Sequence, residues 1–434
     1  MNKILKTVAL LPYGRVYCRS RRFLEKSQWW KPEDLARYRS GKIEALIRHA
    51  WDRVPFYREA MERDGIEAAD IRSVVDLARL PVLSKEQVNE NFARLVAADF
   101  PDRLMLLYST GGSSGLPTRF YHDAREMAWT EAAVNRSYSW AGYRTLEKFL
   151  LVSGLPAEKH SVISLLRRLQ GQRRISLFGA GKDEIEQSLD YLLRLRPHGL
   201  KGYVSWLEIL AGALKKRGGP AVWRPAHVIT SSEKLTPRSR EILRRGFGSE
   251  PFENYSSREF MLAAECPKHR GLHIAAENVV IETARDGVPV APGEWGEILV
   301  TDLNRYGMPL IRYAIGDVGV LSDRVCACGR GLPILEEVVG RVSDIIRTPE
   351  GKLIAAPAVA HIFKDLPVQA FRVIQENEKE LTVRVVPRDG YAAGHEAHIR
   401  NAFRGIEIRI EYVEDIPVPA SGKNIIVESR IKVF

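Results

Sequence analysis

Seven consecutive residues, Ser109-Thr110-Gly111-Gly112-Ser113-Ser114-Gly115, combine three glycines with four hydroxyls. Glycine lets a backbone reach positive φ and come close to a ligand. Bare N–H groups and small hydroxyls in such a loop can wrap an anion such as a polyphosphate. The apolar run Leu104 to Leu107 leads into it. No lysine follows Gly115, so this is not the nucleotide loop that ends in Gly-Lys-Ser/Thr. The loop has no charge of its own, so a divalent cation would have to neutralise much of a bound polyphosphate.

Four further polar segments follow in order. They are Asn254-Tyr255-Ser256-Ser257-Arg258-Glu259, Arg312-Tyr313-Ala314-Ile315-Gly316-Asp317, Gly340-Arg341-Val342-Ser343-Asp344 and Ser421-Gly422-Lys423. Between them lies a thiol–imidazole set, Cys266-Pro-Lys-His269-Arg-Gly-Leu-His273 and Cys326-Ala-Cys328-Gly329. A structural zinc takes four sulfur or nitrogen ligands in a tetrahedron. A Cys-x-Cys-Gly turn supplies two thiolates, and a Cys-His pair from the other segment completes the set. His269 and His273 are both candidates. His273 is favoured because the strand-like Leu272–Ile274 would hold it rigidly. Cys18 is left over.

The elements that must position these residues read as follows. Apolar residues recur at helical spacing over 31–64, with Pro55 breaking the pattern. Ser84 and Gln87 form a capping-box pattern. From about 120 to 250, helical stretches (Ala124–Ser139, Lys182–Arg194, Pro237–Phe247) alternate with short strands (Lys148–Val152, Ala226–Thr230). That alternation predicts an α/β layered domain. From 272 to 325, short strands separated by Gly and Pro predict a β-rich subdomain, with an Ile-Gly-Asp317 turn after a strand. The last ninety or so residues alternate like a small α+β domain, most clearly at Ile406 to Tyr412.

Composition narrows the classes. The 434 residues are 45% hydrophobic, enough for a large core and two or three domains. Sixty-five Lys+Arg against fifty-four Asp+Glu give a net charge of +11. The basic residues are dispersed, with no long tail and no stripe with interleaved aromatics, which argues against a nucleic-acid partner. No run reaches the roughly twenty apolar residues of a membrane span. Ile4 to Pro12 is apolar but short and broken by Lys6, which fits peripheral membrane association better than a secretory signal. Four cysteines are too few for a disulfide framework, and the expected location is cytoplasmic.

In this order and at these separations, the segments resemble the adenylate-forming enzymes: acyl-CoA synthetases, luciferases and peptide-synthetase adenylation domains. The chain is most similar to the phenylacetate–CoA ligase branch and its relatives in capsular polysaccharide loci. Gln28-Trp29-Trp30, His49-Ala50-Trp51-Asp52-Arg53-Val54-Pro55-Phe56-Tyr57 and Gly111-Gly112-Ser113-Ser114-Gly115-Leu116-Pro117 carry that branch assignment. The resemblance implies a large N-terminal α/β domain (1–342), with the β-rich, zinc-bearing part at about 260–340. It also implies a small mobile C-terminal α+β lid (343–434).

It further implies a two-step reaction in which a carboxylic acid attacks ATP to give an acyl-adenylate, and a thiol then takes the acyl group. By the resemblance, Ser109 to Gly115 hold the β- and γ-phosphates and Glu259 binds Mg²⁺. Tyr255, with Ser256, flanks the adenine, and Asp317 holds the ribose hydroxyls. Arg341 contacts ribose and phosphate with Arg312 as helper, and Lys423 is the catalytic cation. The acyl-pocket candidates are Tyr138, Gly202, Tyr203, Ser205, Ser232 and Glu233, for an aryl or small organic acid. Relatives in the branch also carry a similar cysteine–histidine set.

Two departures stand out. The hinge position, acidic in many relatives, is Ser343, and Thr118 follows Pro117 where a lysine is usual. The acceptor therefore stays open between coenzyme A, an acyl carrier protein, and a sugar hydroxyl or amine. An ATP-independent acyl transferase or a non-catalytic binding protein is the contrasting class. Nothing in the sequence separates a monomer from a homodimer.

Overall fold

The structure is a computed structural model. It describes residues 12–100, 105–110, 117–144, 146–153, 171–177, 181–351, 353–417 and 426–431. Gly111, Gly112, Ser113, Ser114, Gly115 and Lys423 lie outside the described residues, and of Ser343 only the backbone is described.

The helical pattern of the N-terminal quarter resolves into two helices, Pro32–Arg53 and Pro55–Arg63. Proline at the first position of each fits a site where the missing N–H costs nothing. Ser84 and Gln87 exchange both hydrogen bonds of the capping box and start the helix Lys85–Glu90. Strands β1 (Met105–Ser109) and β2 (Arg119–Asp123) pair antiparallel as a separate hairpin. Asp123 then caps the helix Ala124–Trp140 through the backbone N–H of Glu126.

The next strands are β3 (Phe149–Ser153), β4 (Gln172–Ser176), β5 (Gly199–Tyr203), β6 (His227–Ser231) and β7 (Pro251–Ser256). They lie parallel in the order 4-3-5-6-7. The helices Lys182–Leu195, Val204–Lys216 and Pro237–Phe247 pack on them around a core that includes Leu150, Leu200, Leu207, Val228 and Phe247. From β7 the sheet turns antiparallel without a break in its hydrogen bonding. It continues through β8 (Met261–Glu265), β9 (Leu272–Ile274), β10 (Val279–Arg285), β11 (Val288–Pro289), β12 (Trp295–Asp302), β13 (Tyr313–Ser322) and β14 (Ile334–Arg341). The β-rich region is thus the second half of one twelve-stranded sheet, among the described residues, rather than a sheet of its own. Asp317 is another correction: it sits inside β13 instead of in a turn after a strand, although Gly316 before it has φ +81°.

After a one-turn segment at Val342–Asp344, β15 (Ile345–Arg347) and β16 (Leu353–Ala355) form a small ribbon. Then β17 (Val368–Asn377), β18 (Glu380–Pro387), β19 (Glu407–Tyr412) and β20 (Val427–Ser429) make a four-stranded sheet in the order 19-18-17-20. Its core, with Val373, Val383, Ile399, Phe403 and Ile408, is separate from the others. Ile408 is buried and its neighbours Glu407 and Arg409 are exposed, as alternation over Ile406 to Tyr412 requires.

Candidate functional site

The sheet changes from parallel to antiparallel at β7, and the polar residues collect beyond its carboxyl end. In open α/β sheets, ligands bind outside the carboxyl ends of the strands. Just past β7, the Ser257 hydroxyl accepts hydrogen bonds from the backbone N–H groups of Glu259 and Phe260, both at 3.2 Å. This tight turn holds Glu259, whose side chain is 5% exposed. Its Oε1 accepts from the Tyr313 hydroxyl at 3.4 Å.

Tyr255, on β7, donates its hydroxyl to Asp317 Oδ2 at 2.7 Å. Arg341 Nε pairs with Asp317 Oδ1 at 2.9 Å. The pairing follows from register, because Asp317 and Arg341 face each other across β13 and β14. Burial, and then the Asp317 charge, push the Tyr255 phenol well above its ordinary range. The Asp317 carboxylate in turn raises the Arg341 guanidinium. Both Asp317 oxygens therefore point at donors, an arrangement that a vicinal diol can also satisfy. Ser256 turns its hydroxyl to Asn254 Oδ1 at 3.1 Å, so it braces the strand.

The hairpin brings Ser109 and Thr110, the first residues of the glycine-rich segment, to the same place. Thr110 N donates to Thr118 O at 3.0 Å, and Thr118 N donates to Thr110 Oγ1 at 2.9 Å, which closes the base of the loop. Arg258 Nη1 donates to Ser109 O at 2.7 Å and ties that base to the Glu259 turn. Ser109, Thr110, Tyr255, Glu259, Asp317 and Arg341 are thereby linked through direct contacts and short spans of chain.

Arg312 does not join them, although the sequence placed it in the nucleotide site. Its φ is +49° and its side chain is buried. The guanidinium donates to Glu282, to the carbonyls of Leu80 (2.5 Å) and Ala78 (3.3 Å), and to Gly287 O (2.7 Å). Every nitrogen is committed to holding loops together.

The sequence missed two contributors. Lys85, at the first position of its capped helix, has Nζ 2.9 Å from where a Cβ on Gly316 would sit. Burial, and then the nearby Arg341, lower its pKa, while Asp317 and Glu259 oppose that. It is a cation facing the carboxylate cluster. The capping box made its helix legible, but nothing local revealed what the helix end would face. The second is Arg305, which is fully buried between the rings of Phe120 and Phe260. It donates to Glu259 O at 2.5 Å and pairs with Glu126 (3.4 Å) and Asp302 (3.5 Å). His122, on β2, contacts Glu126 through Nδ1 and Arg258 O through Nε2 at 3.1 Å. One buried network thus grips the hairpin and the Glu259 turn together.

Four of the acyl-pocket candidates, Tyr203, Ser205, Ser232 and Glu233, stand at the carboxyl ends of β5 and β6. Glu233 caps the helix Val204–Lys216, accepting from Ser205 N (2.7 Å) and Ser205 Oγ (2.9 Å). Ser232 takes a strained φ of +68° at the strand exit. Tyr138 and Gly202 do not fit the expectation. Tyr138 is packed against Phe149, at the amino end of β3, and bonded by Lys201. A Cβ on Gly202 would meet Val152 O at 2.9 Å, so that glycine serves strand–strand packing.

The cysteine–histidine set converges. Ligand atoms of Cys266, His273, Cys326 and Cys328 all lie within 4.8 Å of one another. Cys266 Sγ is 3.7 Å from Cys326 Sγ, and Cys328 Sγ is 3.2 Å from His273 Nε2. A tetrahedral zinc with sulfurs at about 2.3 Å holds neighbouring sulfurs roughly 3.7 Å apart, so the donor set fits. His273 Nδ1 lies 3.3 Å from Leu332 O, leaving Nε2 for a metal. Burial lowers the His273 pKa to about 4, so the ring is neutral at pH 7. His269 instead pairs with Glu265 at 3.1 Å and stands outside the set. The turn after Cys328 is tied to the N-terminal segment through Gln28: its Oε1 accepts from Trp140 (2.9 Å) and Arg330 (3.0 Å), and its carbonyl accepts from Gly331 N at 3.0 Å.

Comparisons with known proteins agree with this geometry. Two phenylacetate–coenzyme A ligases, from Thermus thermophilus and Escherichia coli, are each 24% identical over 72% of this chain and 72% of their own. The chain is similar to these phenylacetate–coenzyme A ligases over most of its length. Residues 346–430 match the CapK C-terminal domain. A crystal structure of 2-hydroxyisobutyryl-CoA ligase in its postadenylation state superposes with a TM-score of 0.73. It is 19% identical and the match covers 94% of this chain and 92% of that one. ATP-bound MatB from Rhodopseudomonas palustris gives a TM-score of 0.53 at 16% identity, over 74% of this chain and 66% of its own. These likenesses establish the shared fold, including the C-terminal domain in the longer match.

Arg305 should be costly to remove. Arg305→Met leaves Glu126 and Asp302 buried without their cation, and should lower unfolding free energy by about 3–5 kcal/mol. Urea unfolding measures this. A loss below about 1 kcal/mol would mean that the network relaxes and holds nothing.

Proposed function

We propose that this chain is an ATP-dependent, AMP-forming acid–thiol ligase that activates a small carboxylic acid as its acyl-adenylate. The observation that supports this best is the convergence of the Tyr255–Asp317–Arg341 set with Glu259 and the base of the Ser109–Gly115 loop. In this reading Asp317 accepts the two ribose hydroxyls and Tyr255 packs beside the adenine. Arg341 spans ribose and phosphate, and the loop's N–H groups hold the outer phosphates. Lys85 adds a positive charge near the phosphates. Mg²⁺, a hard cation suited to a carboxylate oxygen, would bind at Glu259 and supply charge neutralisation.

The chain's own residues then have distinct tasks. Arg305 and His122 fix Glu259 relative to the loop. Lys423 brings a point charge to the carboxylate and the α-phosphate, where negative charge shifts during displacement. We assign residues 1–342 to the adenylating domain and 343–434 to a lid that pivots at Ser343. Tyr203, Ser205, Ser232 and Glu233, at the carboxyl edge, border the acyl site. Coenzyme A is the first candidate acceptor. The CapK-type C-terminal domain and the serine hinge favour a second reading, in which a carrier-protein thiol or a sugar hydroxyl or amine takes the acyl group.

Acid-dependent exchange of labelled pyrophosphate into ATP, across aryl and short organic acids, tests the adenylation step. Exchange should need Mg²⁺ and fall about 10²–10³-fold in Lys423→Ala. A folded protein that shows neither exchange nor ATP binding would overturn the reading in favour of an ATP-independent role.

We also infer that Cys266, His273, Cys326 and Cys328 hold a structural zinc with no part in the chemistry. Metal analysis should find one zinc per folded chain, lost in Cys326→Ser together with a lower melting temperature. Well under one zinc in the folded wild-type chain would sink the assignment.

A further inference from the structure

The helix Pro12–Ser27 has two unlike faces. Its inner face buries Gly14, Ser20, Leu24 and Ser27. The Tyr13 hydroxyl donates to Glu131 at 2.5 Å and the Ser27 hydroxyl to Glu277 at 2.6 Å. The outer face exposes Arg15, Arg19, Arg22 and Lys26. Steps of four, three and four residues put these side chains in one row along the helix. At 1.5 Å per residue the row is roughly 16 Å long.

None of the four cations has an ion-pair partner among the described residues. The helix's one acid, Glu25, pairs with Arg21 at 2.6 Å instead. Arg21 lies in the sequence cluster Arg19-Ser-Arg-Arg22 yet turns off the row. Just beyond the helix, three positions after Lys26, the Trp29 indole is 52% exposed. Arg330 lies over that ring at 4.7 Å, adding a fifth positive charge beside it.

We propose that this face docks on an anionic membrane surface. The row is a source of unneutralised positive charge, and an anionic bilayer is the extended partner that complements it. The exposed indole just beyond the helix, under Arg330, suits the headgroup layer, where tryptophan is enriched. An exposed indole following a basic row favours lipid over nucleic acid, whose backbone offers charge but no apolar layer. The helix stays packed on the protein, because its inner face is already buried, so binding rests on charge and the indole rather than on insertion.

Co-sedimentation of the full chain with vesicles of phosphatidylcholine, with and without phosphatidylglycerol, tests this. Binding should require phosphatidylglycerol and weaken with salt. Removing two charges in Arg19→Gln/Arg22→Gln should weaken it about thirtyfold. The charge-matched variant Lys215→Gln/Lys216→Gln, at exposed positions of another helix, should change it less than about threefold. Circular dichroism checks that both variants fold. Absence of binding to phosphatidylglycerol vesicles at low salt would overturn the proposal. So would equal loss in the two variants, or oligonucleotide binding that depends on Arg19 and Arg22 while vesicles stay unbound.

Discussion

A buried guanidinium holds together the elements that carry the candidate site. Arg305 is removed from water between two phenylalanine rings, so its charge must be met by protein groups. Glu126, Asp302 and the Glu259 carbonyl meet it. Each belongs to a different part of the chain: Glu126 to the helix behind the hairpin, Asp302 to β12 and Glu259 to the turn after β7. Satisfying one cation therefore fixes three elements relative to one another. His122 extends the grip to β2 and to Arg258, and Arg258 holds the base of the glycine-rich loop. The precision of the site is a consequence of this desolvated network more than of the site residues themselves.

The sheet supplies the other half of the geometry. Its parallel strands all end at one edge, which collects the exits of β5, β6 and β7. The change to antiparallel pairing at β7 brings β13 and β14 into the same sheet, with Asp317 opposite Arg341. A parallel sheet alone would not offer that cross-strand pair, and an antiparallel sheet alone would not offer the shared carboxyl edge. The site lies where both are present.

Much of this was legible in the sequence wherever the cause is local. The capping box at Ser84 and the proline-started helices follow from residues within a few positions of each other. So does the alternation in β19. That His273 rather than His269 would lie with the cysteines was also readable, because a three-residue strand holds a side chain more firmly than a turn does. What was not legible depends on distant partners. Arg312 was chosen for its place next to the Asp317 motif, but a left-handed backbone turns it toward Glu282 and the 78–80 carbonyls. Arg305, seven residues earlier, does the organising work, and its acids lie far away in sequence or beyond a turn. Lys85 reaches Asp317 across more than two hundred residues. Tyr138 was read as lining a pocket because it is aromatic and in the right stretch, yet aromatic residues at helical spacing serve a core equally well, as this one does.

Calorimetric titration of the folded chain with MgATP tests the central claim most directly, with Asp317→Ala as comparison. The account predicts saturable binding by the wild-type chain and at least about a tenfold loss in the variant, since two hydrogen bonds to a charged acceptor are removed. No binding by the wild-type chain, or equal affinity in the two proteins, would contradict the claim that these residues converge to hold a nucleotide.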